Sequence, residues 1–294
     1  EGYLLTGRHG FFSTYEAFSR VIDSMASQHS KWLKIVGDLP WRKDIASLNY
    51  ILTSYVWQQD HNGYTHQEPG FLNHLATKKS DIARIYLPAD ANTLLCTMDH
   101  CLKTKNRINA IVASKHPRTQ FLNMEQADLV IASAGVEPTI EALAAVTILK
   151  EHLPKLKIRF INIVDLFKLQ SDKRHPHGLS DAEFDSLFTK KIPVIINFHG
   201  YPSLIREFTY DRFNKNISVK GYMEEGSITT PFDMRVQNEI DRYHLVIEAC
   251  KIVPNLGSKG VYLSKLMTEK LIEHKQYIHE YGVDMPEITN WEWK

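Results

Sequence analysis

The sequence predicts an α/β protein of two consecutive domains, each a mainly parallel sheet covered by helices. Three observations lead to this fold class. Strands that are apolar along their whole length alternate with helical patterns, which is typical of parallel sheets buried on both faces. The 294 residues, 43% of them hydrophobic, suffice for two cores at roughly 150 residues per domain. A regular strand–helix rhythm from Asp128 onwards places the domain boundary at about 121–127.

In the first part of the chain, hydrophobic periodicity and capping signals predict the elements. A helix is expected at 14–32, because apolar residues such as Val21 and Met25 recur at three- and four-residue steps. Asp90 is a suitable N-cap for a helix at 91–103. Strands are expected at 45–57, 82–87 and 109–114, and a polar loop at 58–70.

The second part alternates strands and helices more regularly. Pro138 suits the first turn of a helix, because its fixed φ and missing N–H are tolerated there. Strands are expected at 129–133, 158–164 and 192–198, and helices at 138–152, 181–188, 203–210, 233–249 and 262–281. Because no turn residue separates Gln126 from the strand that follows, we expect that residues are missing at this junction.

Composition excludes several classes of protein. Lys and Arg number 35 and Asp and Glu 34, so no overall field gathers nucleic acid or an anionic membrane. No apolar run is long enough to span a membrane. Three cysteines are too few for a disulfide framework and indicate a reducing, cytoplasmic setting. The chain begins at Glu1 as if within an element, so it is expected to be a fragment.

The loop at 58–70 carries the most informative candidate site. His61 and His66 lie in it with Gln59 and Asn62, directly after a predicted buried strand. Open parallel sheets bind ligands at the carboxyl ends of their strands, and imidazole gives and takes protons near neutral pH. A solvated turn is the plainer alternative. A zinc site is a third possibility, although no third ligand is evident.

An aromatic pair forms a second candidate. Tyr15 and Phe18 follow Gly7-Arg-His-Gly10 and lie three residues apart, on one face of the predicted helix. Two such rings can form a slot for a flat heterocycle, although packing in the core is the alternative. Lys115 directly follows a predicted buried strand and could hold a phosphate, but surface lysines are common.

Two sets of motifs point to one family. The first set is GRHGFFSTYEAF, PWRKDIASLNY, VWQQDHNGYTHQEPG and LPADANTLL. The second is VDLFKLQ, HPHGLS, FHGYP, EEGSITTPFDM and DRYHLVIE. Together they resemble the C-terminal half of xylulose-5-phosphate/fructose-6-phosphate phosphoketolase, a thiamine-diphosphate enzyme, almost from end to end. The resemblance implies transketolase-like architecture, with a pyrimidine-binding domain at 1–122 and a C-terminal α/β domain at 127–294.

The resemblance also assigns roles, position by position. Tyr15 and Phe18 look like the pocket for the pyrimidine ring of the cofactor. The residues that resemble the active-site histidines are His61 and His66, and those that resemble the substrate contacts are Gln59, Asn62 and Lys115. Packing in the second domain is expected for His175, His177 and His199.

The family uses thiamine diphosphate and Mg²⁺ at the interface of a homodimer. The resemblance places the diphosphate-binding domain, its Mg²⁺ ligands and the glutamate that activates the aminopyrimidine upstream of Glu1. The implied reaction converts a ketose phosphate and inorganic phosphate to acetyl phosphate, a shorter aldose phosphate and water. The isolated chain is therefore expected to be inactive. The alternatives are two-carbon transfer of the transketolase type and a non-catalytic dimerisation module.

Overall fold

Two four-stranded sheets form the framework of the computed structural model, which describes residues 2–57, 68–79, 81–114, 127–223 and 228–293. All neighbouring strands pair in parallel. The first sheet contains β1 (Phe11–Tyr15), β2 (Leu48–Thr53), β3 (Ala83–Tyr86) and β4 (Ile108–Val112), in the order β1-β2-β4-β3. The second contains β5 (Leu129–Ala134), β6 (Ile158–Asn162), β7 (Val194–Phe198) and β8 (Ile217–Lys220), in the order β6-β5-β7-β8.

Helices connect and cover these strands. The first part contains α1 (Gly2–Leu5), a 3-10 turn (Glu16–Ile22), α2 (Asp23–Gly37), α3 (Gly70–Ala76) and α4 (Ala91–Lys103). The second contains α5 (Val136–His152), a 3-10 turn (Leu166–Leu169), α6 (Asp181–Phe188), α7 (Pro202–Thr209), α8 (Pro231–Gln237), α9 (Arg242–Ile252), α10 (Gly257–Tyr281) and α11 (Pro286–Thr289). None of these helices is both long and apolar enough to cross a membrane.

The predicted fold class is confirmed, and so are the strands that defined it. Every residue of β4, β5 and β7 is buried, as expected for continuously apolar strands inside parallel sheets. The predicted N-cap of α4 is also present, because the Asp90 carboxylate accepts from the backbone N–H of Thr93 at 2.8 Å. The domain bounds 1–122 and 127–294 stay a prediction, since 115–126 lies outside the described residues.

The helix predicted at 14–32 is wrong in its first half. The run Phe11–Tyr15 is a strand that pairs with β2, with Ser13 opposite Ile51, and a 3-10 turn follows before α2 begins. Aromatic and β-branched residues favour strand geometry, and the neighbouring strand satisfies their backbone groups. Residues 14 and 15 therefore join the sheet, although the apolar residues after them have helical spacing.

Two further boundaries differ from the prediction. The strand expected at 45–57 is limited to β2, because Ser54 adopts a positive φ of 44° directly after it. The single helix expected at 233–249 is interrupted between α8 and α9, where Glu239 has a φ of 55°. Asp241 then begins α9 by accepting from the N–H groups of Tyr243 and His244. The strand β8 and the helix α3 were not predicted.

The two sheets share one hydrophobic core. Buried Leu52 and Trp57 of the first part belong to the same cluster as Val136 and Phe198 of the second. At another contact, the backbone N–H of Leu87, just after β3, donates to the carbonyl of Val164 at 2.9 Å. The second sheet has an additional core on the side covered by α5, α9 and α10.

Candidate active site

Tyr15 and Phe18, the predicted pyrimidine pocket, form a stacked aromatic pair at the end of β1. Tyr15 is the last residue of β1, and Phe18 lies in the 3-10 turn that follows. The ring centroids are 6.1 Å apart, and the ring planes differ by 17°. Because 46% of Phe18 is exposed, the pair offers an aromatic surface on which a flat heterocycle can stack.

Glu16 lies between these two aromatic residues in the sequence and is fully buried. Its Oε2 accepts a hydrogen bond from the backbone N–H of Val56 at 2.7 Å. Both of its carboxylate oxygens lie 2.8 Å from Nε2 of His199 in the second part of the chain. The structure thus brings His199, for which only packing was expected, next to the aromatic pair. The one signal for Glu16 in the sequence was an acidic residue inside an aromatic run.

The residues that follow β2 are anchored to the second sheet. The hydroxyl of Tyr55 donates to Oε1 of Glu137 at 3.2 Å, and Nε1 of Trp57 donates to the carbonyl of His199 at 3.1 Å. Tyr55, Val56 and Trp57 are all buried. The chain therefore has a fixed exit from β2, directly before the predicted catalytic loop.

Five of the seven predicted site residues lie outside the described residues. They are Gln59, His61, Asn62, His66 and Lys115. The strands before them are described: β2 precedes the first four, and β4 precedes Lys115. Because β2 lies between β1 and β4 and all three are parallel, the chain leaves them at the same edge of the sheet as the aromatic pair.

His175 and His177 lie at a different contact between the two sheets. Nε2 of His175 is 3.1 Å from Nη1 of Arg84 on β3, and its ring stacks on Phe167 with centroids 4.2 Å apart. Burial, together with the charge of Arg84, lowers the pKa of His175 to about 4. Nδ1 of His177 lies 3.3 Å from Asp165. These hydrogen bonds agree with the packing role predicted for both histidines.

A buried ionic network supports Glu137 from the second part. Arg235 contacts Glu137 and Glu141 at 2.7 Å each, and Arg242 donates to Glu141 at 2.8 Å. Burial raises the pKa of Glu141, but the two arginines more than offset this and lower it to about 2. Glu141 is therefore a structural carboxylate that is charged at neutral pH and paired with both arginines.

β1, the 3-10 turn and α2 expose a set of hydrophobic side chains, which we call the apolar face. It consists of Phe12, Phe18, Val21 and Met25. Val21 is 78% exposed and Met25 69%, and Phe12 and Met25 line a cavity of about 630 Å³ that reaches Tyr50. Exposed apolar side chains gathered on one face are typical of interaction surfaces.

The described residues were also compared with the ligand sets that hold metal ions. Among them, no group of three His, Cys, Asp or Glu side chains has the arrangement needed to hold a metal. The aromatic pair fits a heterocycle such as an aminopyrimidine.

The fold is similar to that of transketolases of known structure. A transketolase mutant from Pichia stipitis superimposes with a TM-score of 0.60 at 13% identity, covering 83% of this chain and 34% of that one. A structure described as a split-gene transketolase, an inactive beta4 tetramer, has a TM-score of 0.56 at 13% identity. That match covers 90% of this chain and 79% of the other. At such identities the likeness concerns the fold alone.

Sequence comparison identifies the family. The family model described as D-xylulose 5-phosphate/D-fructose 6-phosphate phosphoketolase matches 1–104, and the XFP C-terminal domain matches 113–293. The probable phosphoketolase of Clostridium acetobutylicum is 59% identical over 315 residues, which cover 100% of this chain and 40% of the relative. The chain belongs to the phosphoketolase family, which confirms the resemblance. It spans about 40% of the length of the curated relatives it matches.

Proposed function

We propose that this chain is the part of a phosphoketolase that binds the pyrimidine half of thiamine diphosphate and the sugar phosphate. The complete enzyme cleaves xylulose 5-phosphate, fructose 6-phosphate or both with inorganic phosphate, and releases acetyl phosphate, an aldose phosphate and water. One observation carries the proposal. The three strands β1, β2 and β4, at or after which the motif residues stand in the sequence, are neighbours, run parallel and end at one edge of the first sheet.

The aromatic pair and the two loop histidines have separate tasks. Thiamine diphosphate, when bound, supplies the carbon nucleophile and the electron sink for breaking a bond of the ketose. Tyr15 and Phe18 stack against its pyrimidine ring and orient it. His61 and His66 take protons from substrate hydroxyls and return them, because imidazole titrates near neutral pH.

Substrate binding falls to Gln59, Asn62 and Lys115. The ammonium group of Lys115 pairs with phosphate oxygens, and such charge-assisted contacts are the stronger class of hydrogen bond. Gln59 and Asn62 offer amide donors and acceptors to the sugar. In this proposal a cation binds the phosphate group, and neutral amides bind the sugar hydroxyls.

The diphosphate and Mg²⁺ are held by a domain outside this chain, across a homodimer interface. One observation supports this. The apolar face includes Phe18 of the aromatic pair, and its exposed side chains are open to a partner surface. The inactive tetramer of the split-gene transketolase is a precedent for inactivity of such a part alone. We place the enzyme, a carbon–carbon lyase, in the cytoplasm.

Product analysis tests the proposal. A full-length phosphoketolase carrying this chain as its C-terminal part is incubated with fructose 6-phosphate, phosphate, thiamine diphosphate and Mg²⁺. We expect acetyl phosphate, detected as its hydroxamate, from the full-length protein and none from the isolated chain. A longer ketose phosphate formed from an added aldose phosphate, without acetyl phosphate, would favour the transketolase alternative. No turnover of either kind would favour a non-catalytic module.

A further inference from the structure

The buried pair Glu16–His199 has no role in the reaction as proposed. The two residues are 183 positions apart, and neither side chain is exposed. Glu16 stands between Tyr15 and Phe18, and His199 directly follows β7. Their contact therefore joins the end of β1, beside the proposed cofactor pocket, to the end of a central strand of the second sheet.

The same pair also holds the end of β2. The carboxylate of Glu16 accepts from the N–H of Val56, and the carbonyl of His199 accepts from Nε1 of Trp57. Two consecutive residues of the first part are thus attached to the two members of the pair.

His199 itself is closely confined. Its N–H donates to the carbonyl of Ala134 at 2.9 Å, and its ring meets the ring of Tyr55 edge-on with centroids 5.6 Å apart. Gly135 makes room for the histidine because it has no side chain. A Cβ at this position would lie 2.7 Å from the His199 Cβ. These contacts fix the position of the imidazole ring.

Stability alone is a poor explanation for such a pair. Replacing both members of a buried hydrogen-bonded pair by apolar side chains of the same shape is often neutral or stabilising, because burial also removes polar groups from water. What distinguishes this pair is its connection to the two strand ends beside the aromatic surface.

We propose that Glu16 and His199 are positioning residues for the cofactor pocket. By fixing the ends of β1 and β2 against the second sheet, they hold Tyr15 and Phe18 where the pyrimidine ring stacks. This inference rests on the proposed function. It extends that function by giving the C-terminal part of the chain a task in cofactor binding.

The experiment compares variants of the full-length phosphoketolase by calorimetric titration with thiamine diphosphate in the presence of Mg²⁺. His199→Phe removes the hydrogen bond to Glu16, and we expect the dissociation constant to rise about 100-fold through misplacement of the pocket. His199→Gln retains an N–H donor at the same reach and should restore most of the affinity. Thermal unfolding of each protein without cofactor is recorded alongside.

His175→Phe is the matched control. His175 is also a buried histidine that bridges the two sheets, but its partner Arg84 lies on β3 and not at the pocket. We expect it to lower the unfolding temperature while leaving the cofactor dissociation constant unchanged. If His199→Phe behaves in the same way, the pair is structural and the inference is wrong.

A folding failure of His199→Phe would not leave the question open. Glu16→Leu has a side chain of similar size and removes the acceptors that bind His199 and the N–H of Val56, so unchanged cofactor affinity in this variant would overturn the inference. The proposed function is tested separately by acetyl phosphate formation in the wild-type enzyme. A wild type that binds cofactor without making acetyl phosphate contradicts that function, whereas a wild type that binds no cofactor contradicts both proposals.

Discussion

Two regions of this molecule differ in whether their side chains find partners within the chain. Beneath the helices of the second sheet, Glu141 is fully buried and both of its neighbours, Arg235 and Arg242, are paired with it. On the apolar face of the first part, large hydrophobic side chains are exposed instead. The carboxylate and arginines around Glu141 are paired with one another, whereas the apolar face presents a surface suited to a partner. The difference agrees with a cofactor site that needs another domain.

The largest expected effect concerns the paired side chains around Glu141. Glu141→Ala leaves two buried arginines without their shared carboxylate, so we expect the free energy of unfolding to fall by about 3–5 kcal/mol. Urea unfolding measures the change. Glu151→Ala, on an exposed position at the end of the same helix, is the control and should change the value by less than about 0.5 kcal/mol. Equal losses in both variants would contradict the account of this network.

Gly135→Ala tests the confinement of His199. Gly135 has a φ of 109°, and the added Cβ meets the His199 Cβ, so strain and overlap together should cost about 3 kcal/mol. Gly282→Ala is the matched control, because Gly282 also has a positive φ, of 71°, but has open space around it. Strain alone predicts a loss of about 1 kcal/mol there. A smaller loss at Gly135 than at Gly282 would show that His199 can move aside.

The pH dependence of stability tests whether the pKa of His175 is lowered in the folded chain. Its pKa is lowered from 6.5 to about 4 by burial and by Arg84, so below pH 6.5 the unfolded chain takes up a proton that the folded chain refuses. Stability should therefore fall as the pH drops from 6.5 towards 4, by at most about 1.4 kcal/mol per pH unit from this group. In His175→Phe that part of the slope should disappear. An unchanged slope would mean that His175 is protonated in the folded state.

The smallest effect on stability is expected on the apolar face. Met25→Asp should change the free energy of unfolding by less than about 0.5 kcal/mol, because Met25 is exposed. In the full-length enzyme, however, we expect the charge to weaken the homodimer that we propose, as measured by sedimentation. Val261→Asp introduces the same charge on an equally exposed position of α10 and should leave the dimer intact. If Met25→Asp also leaves it intact, the apolar face is not the dimer surface.

The sequence predicted most of the fold because central parallel strands are apolar throughout. β4, β5 and β7 could be located on that ground alone. The first helix was misplaced for an informative reason: the spacing of Val21 and Met25 suggested a face directed to the core, whereas both residues are exposed. The periodicity is real, but it marks the apolar face and not the interior.

The candidate site was predictable only where its residues are close in sequence. Tyr15 and Phe18 were expected to be neighbours, and their rings do stack. The contact between Glu16 and His199 could not be foreseen, because it depends on how two sheets pack together across 183 residues. No spacing rule connects positions so far apart.

The central claim is that this chain holds only part of a thiamine-diphosphate site. Calorimetric titration with thiamine diphosphate and Mg²⁺, of the isolated chain and of a full-length phosphoketolase carrying it, tests this claim most directly. We expect the full-length protein to bind the cofactor and the isolated chain to show no measurable binding, because we propose that another domain holds the diphosphate. Tight binding by the isolated chain would contradict the claim and would mean that this chain contains a complete cofactor site.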